Sequence, residues 1–470
     1  MRSRQFIVAL LPLLLGGCLS LDPDYRHPDA PVPAAWPQQE TVSSAQPEAG
    51  AIAWRSVIVD EKLQRIIDIA LSDNRDLRKA LADIEAARAQ YGIQRAEQFP
   101  AVNAGVEGTR SRALTSDSSS NNNSTAISQS YGANLALSAF ELDLFGKARS
   151  LSAAALESYL STEAAAKSTR LTLIADTATA YIALATARSD LQLSRETMQS
   201  ARHSLEVTRN RQRNGVASGV DVSQAETVYQ QARADVAGNT TAVAQSKNAL
   251  DLLAGQPVDD ALLPADLDSL ATAVAPVSAG LSSAVLLQRP DVLAAEHTLK
   301  SANADIGAAR AAFFPSLTLT ASGGVGSGAL SSLFSHGAGV WSFAPSLSLP
   351  IFDGGANRAA LQYAEAQKKG YIASYEKAIQ SAFQEVADAL ARKATIDEQL
   401  TAQRDYAAAA ERSYRLADSR YREGVDTYLN VLDAQRTLYS ARQTLIVIEQ
   451  TRLNNLVTLY NALGGGVATQ

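Results

Sequence analysis

Residues 289–315 read RPDVLAAEHTLKSANADIGAARAAFFP, and residues 74–100 read NRDLRKALADIEAARAQYGIQRAEQFP. Laid over one another without gaps at an offset of 215, they share Asp, Gly, Arg-Ala and a terminal Phe-Pro. A second pair, Arg211 to Gly255 and Arg420 to Gly464, aligns at an offset of 209, with Arg-x-Arg-x-Gly-Val at the start and Gly at the end. Self-similarity on this scale decides the fold, because a duplicated unit must pack twice. Two tandem copies of one unit make up the mature chain.

Each copy holds a stretch of 67 residues free or nearly free of Gly, Lys147 to Arg213 and Ala356 to Arg422, helix-favouring throughout. As a helix each would run about 100 Å. Globular domains seldom need helices of that length. Shorter helical segments return along them, Val220 to Ala254 and Leu281 to Phe313 in one case, Leu429 to Leu463 and Glu61 to Phe99 in the other. The Pro- and Asp-rich segment Gln256 to Gly280 joins the copies. The expected organisation is a leader over 1–17, an extended N-terminal segment over 18–60, a first repeat over 61–280 and a second over 281–470. Within the repeats the long hairpins cover 147–254 and 356–463.

After each Phe-Pro the periodicity changes from 3.6 to 2, which predicts strands near 100–110, 130–142, 315–323 and 340–351. Val102, Ala104 and Val106 alternate with Asn103, Gly105 and Glu107; Leu317, Leu319 and Ala321 alternate with Thr318, Thr320 and Ser322. Runs of this length cross a membrane at a tilt, with Tyr131, Trp341 and Phe343 suited to an interfacial aromatic girdle. A soluble two-sheet sandwich shows the same alternation. The polar run SRALTSDSSSNNNSTAISQ at 111–129 reads as a long outward loop, and Gly323 to Gly339 holds the matching place in the second copy. Four strands leave two open edges that lipid cannot solvate, so the chain is expected to oligomerise. Two copies would give eight strands and a filled interior, three would give twelve and a water-filled bore, and periodicity does not choose between them.

Composition agrees with helices packed along narrow seams: 470 residues, 46% hydrophobic but only 6% aromatic, with stretches rich in Ala, Leu, Gln, Arg and Glu. A formal net charge of -6 and the lack of any long Lys/Arg block argue against nucleic acid as a partner. Residues 1–17 read as a signal peptide, with Arg2 and Arg4 before an apolar run from Phe6 to Leu15 that is too short to span a bilayer. The run ends in Leu15-Gly16-Gly17-Cys18, which resembles a bacterial lipobox, and Leu19 rather than Asp after Cys18 favours outer-membrane sorting. Cys18 is the only cysteine, which leaves no intrachain disulfide.

Catalysis needs converging acids, bases, nucleophiles or a metal in a closed pocket. His27, His203, His297 and His336 are isolated in the sequence, with no HExxH and no phosphate-cradling Gly-rich turn, and only Met1 and Met198 are methionines. Neither an enzyme, nor a metal site, nor a bound cofactor is expected.

The chain resembles the TolC/OprM-type outer-membrane factors, in the lipoprotein branch that serves resistance-nodulation-division (RND) multidrug pumps. The resemblance spans essentially the whole mature chain. It rests on Cys18 followed by Pro23-Asp24-Tyr25-Arg26-His27-Pro28, on FELDLFGKARS (Phe140 to Ser150), on Gln288-Arg289-Pro290-Asp291-Val292 and on IGAARAAFFPSLTLTA (Ile306 to Ala321). Ala378-Ile379-Gln380, Phe383-Gln384-Glu385-Val386-Ala387-Asp388 and the terminal Leu463-Gly464-Gly465-Gly466 add to it. It implies a mainly α homotrimer with membrane β: a twelve-stranded β-barrel, four strands per chain, continuous with a twelve-helix α-barrel tunnel through a mixed equatorial region. It further implies an S-diacylglycerol and N-palmitoyl lipid on Cys18, contact with outer-membrane lipid, and two protein partners. These are a periplasmic adaptor (membrane fusion protein) and an inner-membrane RND transporter.

The turns Arg213-Asn214-Gly215-Val216 and Arg422-Glu423-Gly424-Val425 resemble the family's adaptor-docking tips, with Gly supplying the left-handed backbone that ends a helix. Leu429, Asp433 and Arg436 share one helix face and resemble its periplasmic gate, with Tyr421 as a further gate position. Read without the resemblance, Asp433 and Arg436 are an ordinary solvated pair worth about 0.5 kcal/mol. The first tip carries Gln224 where the second carries Asp433, so the two hairpins differ in charge. The function implied is a passive exit duct for drugs and other small toxic compounds. A type I protein secretion duct shares the architecture, and a lipid-anchored trimeric stalk without a pore is the reading from another class.

Overall fold

The structure, a computed structural model, describes residues 20–37, 53–116, 123–277 and 282–465. The helices are α1 (Trp54–Val57), α2 (Glu61–Asp73), α3 (Arg75–Ala96), α4 (Lys147–Arg213), α5 (Gly219–Ala254), α6 (Pro290–Ala311), α7 (Ala356–Arg422) and α8 (Tyr428–Ala462). The strands are β1 (Val102–Ser116), β2 (Asn123–Leu142), β3 (Ser316–Ser327) and β4 (Gly339–Ser348). Contacts divide the chain into two compact units. One gathers Glu85–Ser161 and Ala295–Ser374 with the N-terminal stretch to Pro28; the other gathers Asp29–Ile84, Thr162–Ala294 and Tyr375–Gln470.

The first unit holds the sheet. Its order is β1-β2-β3-β4 and all pairs are antiparallel, so one side of β1 and one side of β4 find no strand among the described residues. Register fixes the faces. The row Val102–Leu137–Ala321–Phe343 and its neighbours Leu135 and Trp341 lie on one face, whereas the row Asn103–Ala136–Ser322–Ser342 lies on the other. Trp341 is 82% exposed and Phe343 60%, so the apolar face is bare in the single chain. Along β2 that face runs from Tyr131 to Leu142, which at a tilt of about 45° covers about 25 Å, the height of a lipid-facing band. Between Leu137 and Phe140 a register shift interrupts the β2–β3 ladder, with Ala139 at φ 47°.

The strands outrun their expected limits. β1 continues to Ser116 and β2 begins at Asn123, so much of the expected 111–129 loop is ladder. Ser can continue a ladder when hydroxyls meet across it, as Ser111 Oγ and Ser128 Oγ do at 2.8 Å. In the second copy β3 continues to Ser327, with a 3₁₀ turn at Leu330–Ser332 before β4, and β4 ends at Ser348.

The same unit holds a strap. Residues 20–28 run along α6, where Arg310 Nη1 donates to the Leu21 carbonyl at 3.1 Å and Asn303 Nδ2 to the Pro23 carbonyl at 2.8 Å. Ser150 Oγ donates to Asp22 Oδ1 at 2.5 Å. Gly307 makes room for this: a Cβ there would stand 1.6 Å from Asp22 Oδ1. Gly92, its repeat mate, has nothing within 4 Å of the same position.

The second unit contains most of the two long helices and both returning ones. Both long helices span the 67 residues expected of them. Of the four shorter, half-length segments, two run unbroken as α5 and α8, and the other two differ from expectation by being broken. The segment 61–99 divides at Asn74, whose Oδ1 accepts from Leu77 N at 3.0 Å and so caps α3. The segment 281–313 divides at Arg289, where the following proline drives the backbone to φ -63°, ψ 138°, leaving a 3₁₀ turn over Ser283–Gln288 ahead of α6.

These two breaks are repeat mates and do the same job. Asn74 Nδ2 donates to the Leu253 carbonyl at 3.0 Å, and Arg289 Nη1 donates to the Ala462 carbonyl at 2.6 Å, one residue of each copy closing the end of its returning helix. Gly255 and Gly464 follow at φ 76° and 70°. A side chain at either would strike the break itself, at the Asp73 carbonyl in one copy and at Arg289 in the other. Among the described residues no helix is long and apolar enough to cross a membrane.

Candidate functional site

The site begins where each long helix turns back. Val216 N donates to the Arg211 carbonyl at 2.9 Å and Gly215 N to the Gln212 carbonyl at 2.9 Å; Val425 N and Gly424 N repeat this with Arg420 and Tyr421 at 2.9 and 3.0 Å. Both are Schellman endings with Gly in the left-handed region, Gly215 at φ 76° and Gly424 at φ 75°. Val216 and Val425 are each 64% exposed, two matching apolar points at the turns.

The returning helices start differently. In the first hairpin Ser218 and Asp221 form a reciprocal capping box, Asp221 N donating to Ser218 Oγ at 3.1 Å and Ser218 N to Asp221 Oδ2 at 2.8 Å. In the second, Asp426 holds the start by accepting from Thr427 N at 2.9 Å, from Asn430 Nδ2 at 2.5 Å and from Arg420 Nε at 3.2 Å. These bonds, the one from the Thr427 backbone foremost, hold the Asp426 carboxyl below the usual range.

Leu429, Asp433 and Arg436 lie on an exposed face of α8, Leu429 at 59%. Neither Asp433 nor Arg436 forms an ion pair among the described residues, although three positions on one helix would allow it. Tyr421 does not join that face. It is buried at 6%, its hydroxyl donating to Thr208 Oγ1 at 3.4 Å and its ring edge-on to Tyr428 at 5.4 Å. Burial pushes the Tyr428 phenol up to about 12. Cys18 lies outside the described residues.

One residue of the site was not legible in the sequence. Arg211 Nη1 donates to the carbonyls of Tyr421 and Arg422, each at 3.0 Å, and its guanidinium stacks 4.6 Å from the Tyr421 ring. It caps the last turn of α7 from the other hairpin, where a cation is favoured by the helix dipole. Its repeat mate Arg420 instead pairs with Asp426 of its own hairpin at 3.2 Å. The only signal in sequence is a run of arginines in the last turn of each long helix, which does not tell the two roles apart.

Further along, the hairpins meet through Ser200 Oγ and Tyr414 OH at 3.0 Å and through Arg442, which is 3.3 Å from Glu411 and 3.8 Å from Glu196. A cavity of about 260 Å³ lies between these groups, lined also by Leu193, Leu438 and Gln435. Nearer the tip the two hairpins share an apolar cluster of Leu205, Ala225, Tyr421, Tyr428, Val431 and Leu432, so parting them there would expose buried apolar side chains.

Comparison with known proteins places these features in context. The sequence profile described as "Outer membrane efflux protein" matches residues 66–256 and 281–465, two stretches that follow the two repeats. The chain is 47% identical over 463 residues to the probable efflux pump outer membrane protein TtgC of Pseudomonas putida, covering 98% of this chain and 95% of that one. It is 43% identical to the outer membrane protein OprJ of Pseudomonas aeruginosa, covering 99% and 97%. In structure it is similar to a crystallised Pseudomonas aeruginosa membrane protein, with TM-score 0.87, 42% identity and coverage of 95% and 100%. It is also similar to the open state of the Neisseria gonorrhoeae MtrE outer membrane channel, with TM-score 0.84, 39% identity and coverage of 96% and 99%.

Proposed function

Because this chain belongs to the outer membrane efflux protein family, we propose that it is the exit channel of a three-part efflux pump, passing small toxic compounds outward without catalysis of its own. The observation that carries this is the sheet: one apolar face, one polar face and an unpaired side at each end, in the same chain as two 67-residue helices. Three copies close the edges into twelve strands and leave a wet bore. Relatives named for the efflux of toluene and of antibiotics support small amphipathic or apolar cargo. A lipid on Cys18 would tether each copy to the outer membrane.

The tips carry the coupling. Exposed Val216 and Val425 at two matching left-handed turns offer an apolar foothold to a periplasmic adaptor, which in turn would meet a proton-driven RND transporter of the inner membrane. Leu429, Asp433 and Arg436 are exposed, and the two charged residues form no ion pair among the described residues, so all three are placed to meet their counterparts in neighbouring copies and close the bore. An adaptor that binds the open arrangement better shifts the population toward it.

Purified protein in planar bilayers tests this directly. Wild type is expected to give small, flickering currents, and the Asp433→Ala, Arg436→Ala double variant large and stable ones. Folded, oligomeric protein that passes no current in either form would remove the channel and leave a structural stalk.

A further inference from the structure

The polar face of the sheet carries two carboxylates among the described residues, and they are not equivalent. Glu141 stands in the row with Thr318, and its Oε2 is 3.6 Å from Lys147 Nζ, so its charge is balanced locally. Glu107 stands in the row with Gly132 and has no cation within ion-pair distance among the described residues. The arginines of its own strand, Arg110 and Arg112, have the opposite parity and so belong to the face that bears Val102 and Val106. Arg112 reaches Thr125 on that side at 3.1 Å.

The sheet is also shaped for Glu107. A Cβ on Gly132 would lie 3.3 Å from both Cγ and Oε1 of Glu107, so the side chain rests across its cross-strand neighbour in space that a larger residue there would crowd. The same face is otherwise built from small neutral residues: Asn103, Thr109, Ser130, Asn134 and Ser322. Glu107 is thus an exposed, uncompensated charge held low against an uncharged wall.

We propose that Glu107 sets the ionic preference of the bore, three copies forming a ring of carboxylates that favours cationic solutes over anionic ones. This deepens the channel reading above and rests on it. A fixed charge beside water acts through the ionic atmosphere, so its reach is about 8 Å at physiological salt and about 30 Å near 0.01 M. The ring therefore biases a wide bore weakly at high salt and strongly at low salt, by raising the local concentration of counter-ions along the wall. Amphipathic cations feel the same field.

The test is the reversal potential of single channels in a potassium chloride gradient at low salt, with all forms carrying Asp433→Ala and Arg436→Ala so that the tip charges do not contribute. The parent is expected to prefer potassium over chloride. Glu107→Gln should lower that permeability ratio roughly twofold or more, and Glu107→Lys should lower it further or invert it, both differences shrinking as salt rises toward 1 M. The graded order with charge is the decisive reading, since a structural role would not distinguish Gln from Lys by sign. Stable currents with one permeability ratio across all three forms would overturn the proposal while leaving the channel intact. Folded trimers that carry no current in any form would instead overturn the channel reading and the proposal with it.

Discussion

At the scale of the residue, repeat mates separate what a position is from what it does. Gly92 and Gly307 occupy the same place in the two copies, and their conservation between copies reads in sequence as one structural need. The structure shows two situations: open space around Gly92, and Asp22 packed into the gap at Gly307. Gly307→Ala is expected to expel Asp22 and loosen the strap, costing about 1–3 kcal/mol by overpacking, with faster proteolytic cleavage before Pro28. Gly92→Ala should be neutral or gain about 0.5–1 kcal/mol from helix propensity. Equal proteolysis of the two variants would mean that Gly307 does not hold the strap. The sequence exposed the pair because both copies align, but it hid the difference, since the strap reaches α6 from some 280 residues away in the chain. The partners of Tyr421 were hidden for the same reason: its ring and hydroxyl are claimed by Arg211, Thr208 and Tyr428, the first two of them more than 200 residues away in the chain.

At the scale of the element, periodicity carried far more. The lengths of the long helices followed from the absence of Pro and the near-absence of Gly, and the face of each strand followed from alternation, both being properties of local sequence. Breaks within the half-length helices did not follow as readily, because Asn74 can either continue a helix or cap one, and the choice is made by the Leu253 carbonyl it meets. The assignment of faces makes a sharp prediction about adjacent residues of β4. Phe343 shares a row with Ala321 and Leu137, inside the apolar band and not at the rim where an aromatic girdle was expected, and Ser342 lies on the polar face. Phe343→Arg should therefore cost about 2–4 kcal/mol in folding into a bilayer, whereas Ser342→Arg should fold normally. Urea titration of protein inserted in lipid vesicles measures both, and comparable losses at the two positions would mean that the sheet does not present one face to lipid.

At the scale of the whole molecule, the single chain is incomplete in two independent ways. β1 and β4 each keep an unpaired side, and α3 buries only Leu77 along its 22 residues, leaving Leu81 and Ile93 more than half exposed. Lone copies in a membrane would strand backbone hydrogen-bonding groups in hydrocarbon, at several kcal/mol each, so the edges must meet other copies. Symmetry and strand count then limit the answer. Two copies close eight strands, whose interior fills with side chains, and the small residues of the polar face would leave such a core underpacked and wet without making it a passage. Three copies close twelve around water, and the Ser, Thr, Asn and Gly of that face suit a solvated wall. Light scattering of the detergent-solubilised protein, corrected for bound detergent, is expected to give three times the mass of one chain without its leader, somewhat under three times the 49.7 kDa of all 470 residues. A mass of two chains would be incompatible with the bore and with a Glu107 ring in it, because an eight-stranded interior, even underpacked and wet, is too narrow to be a passage. A trimer that persists on an unboiled gel and dissociates on heating would further place the joining surfaces in strand edges, whose backbone hydrogen bonds are shielded from water by the bilayer and are released together.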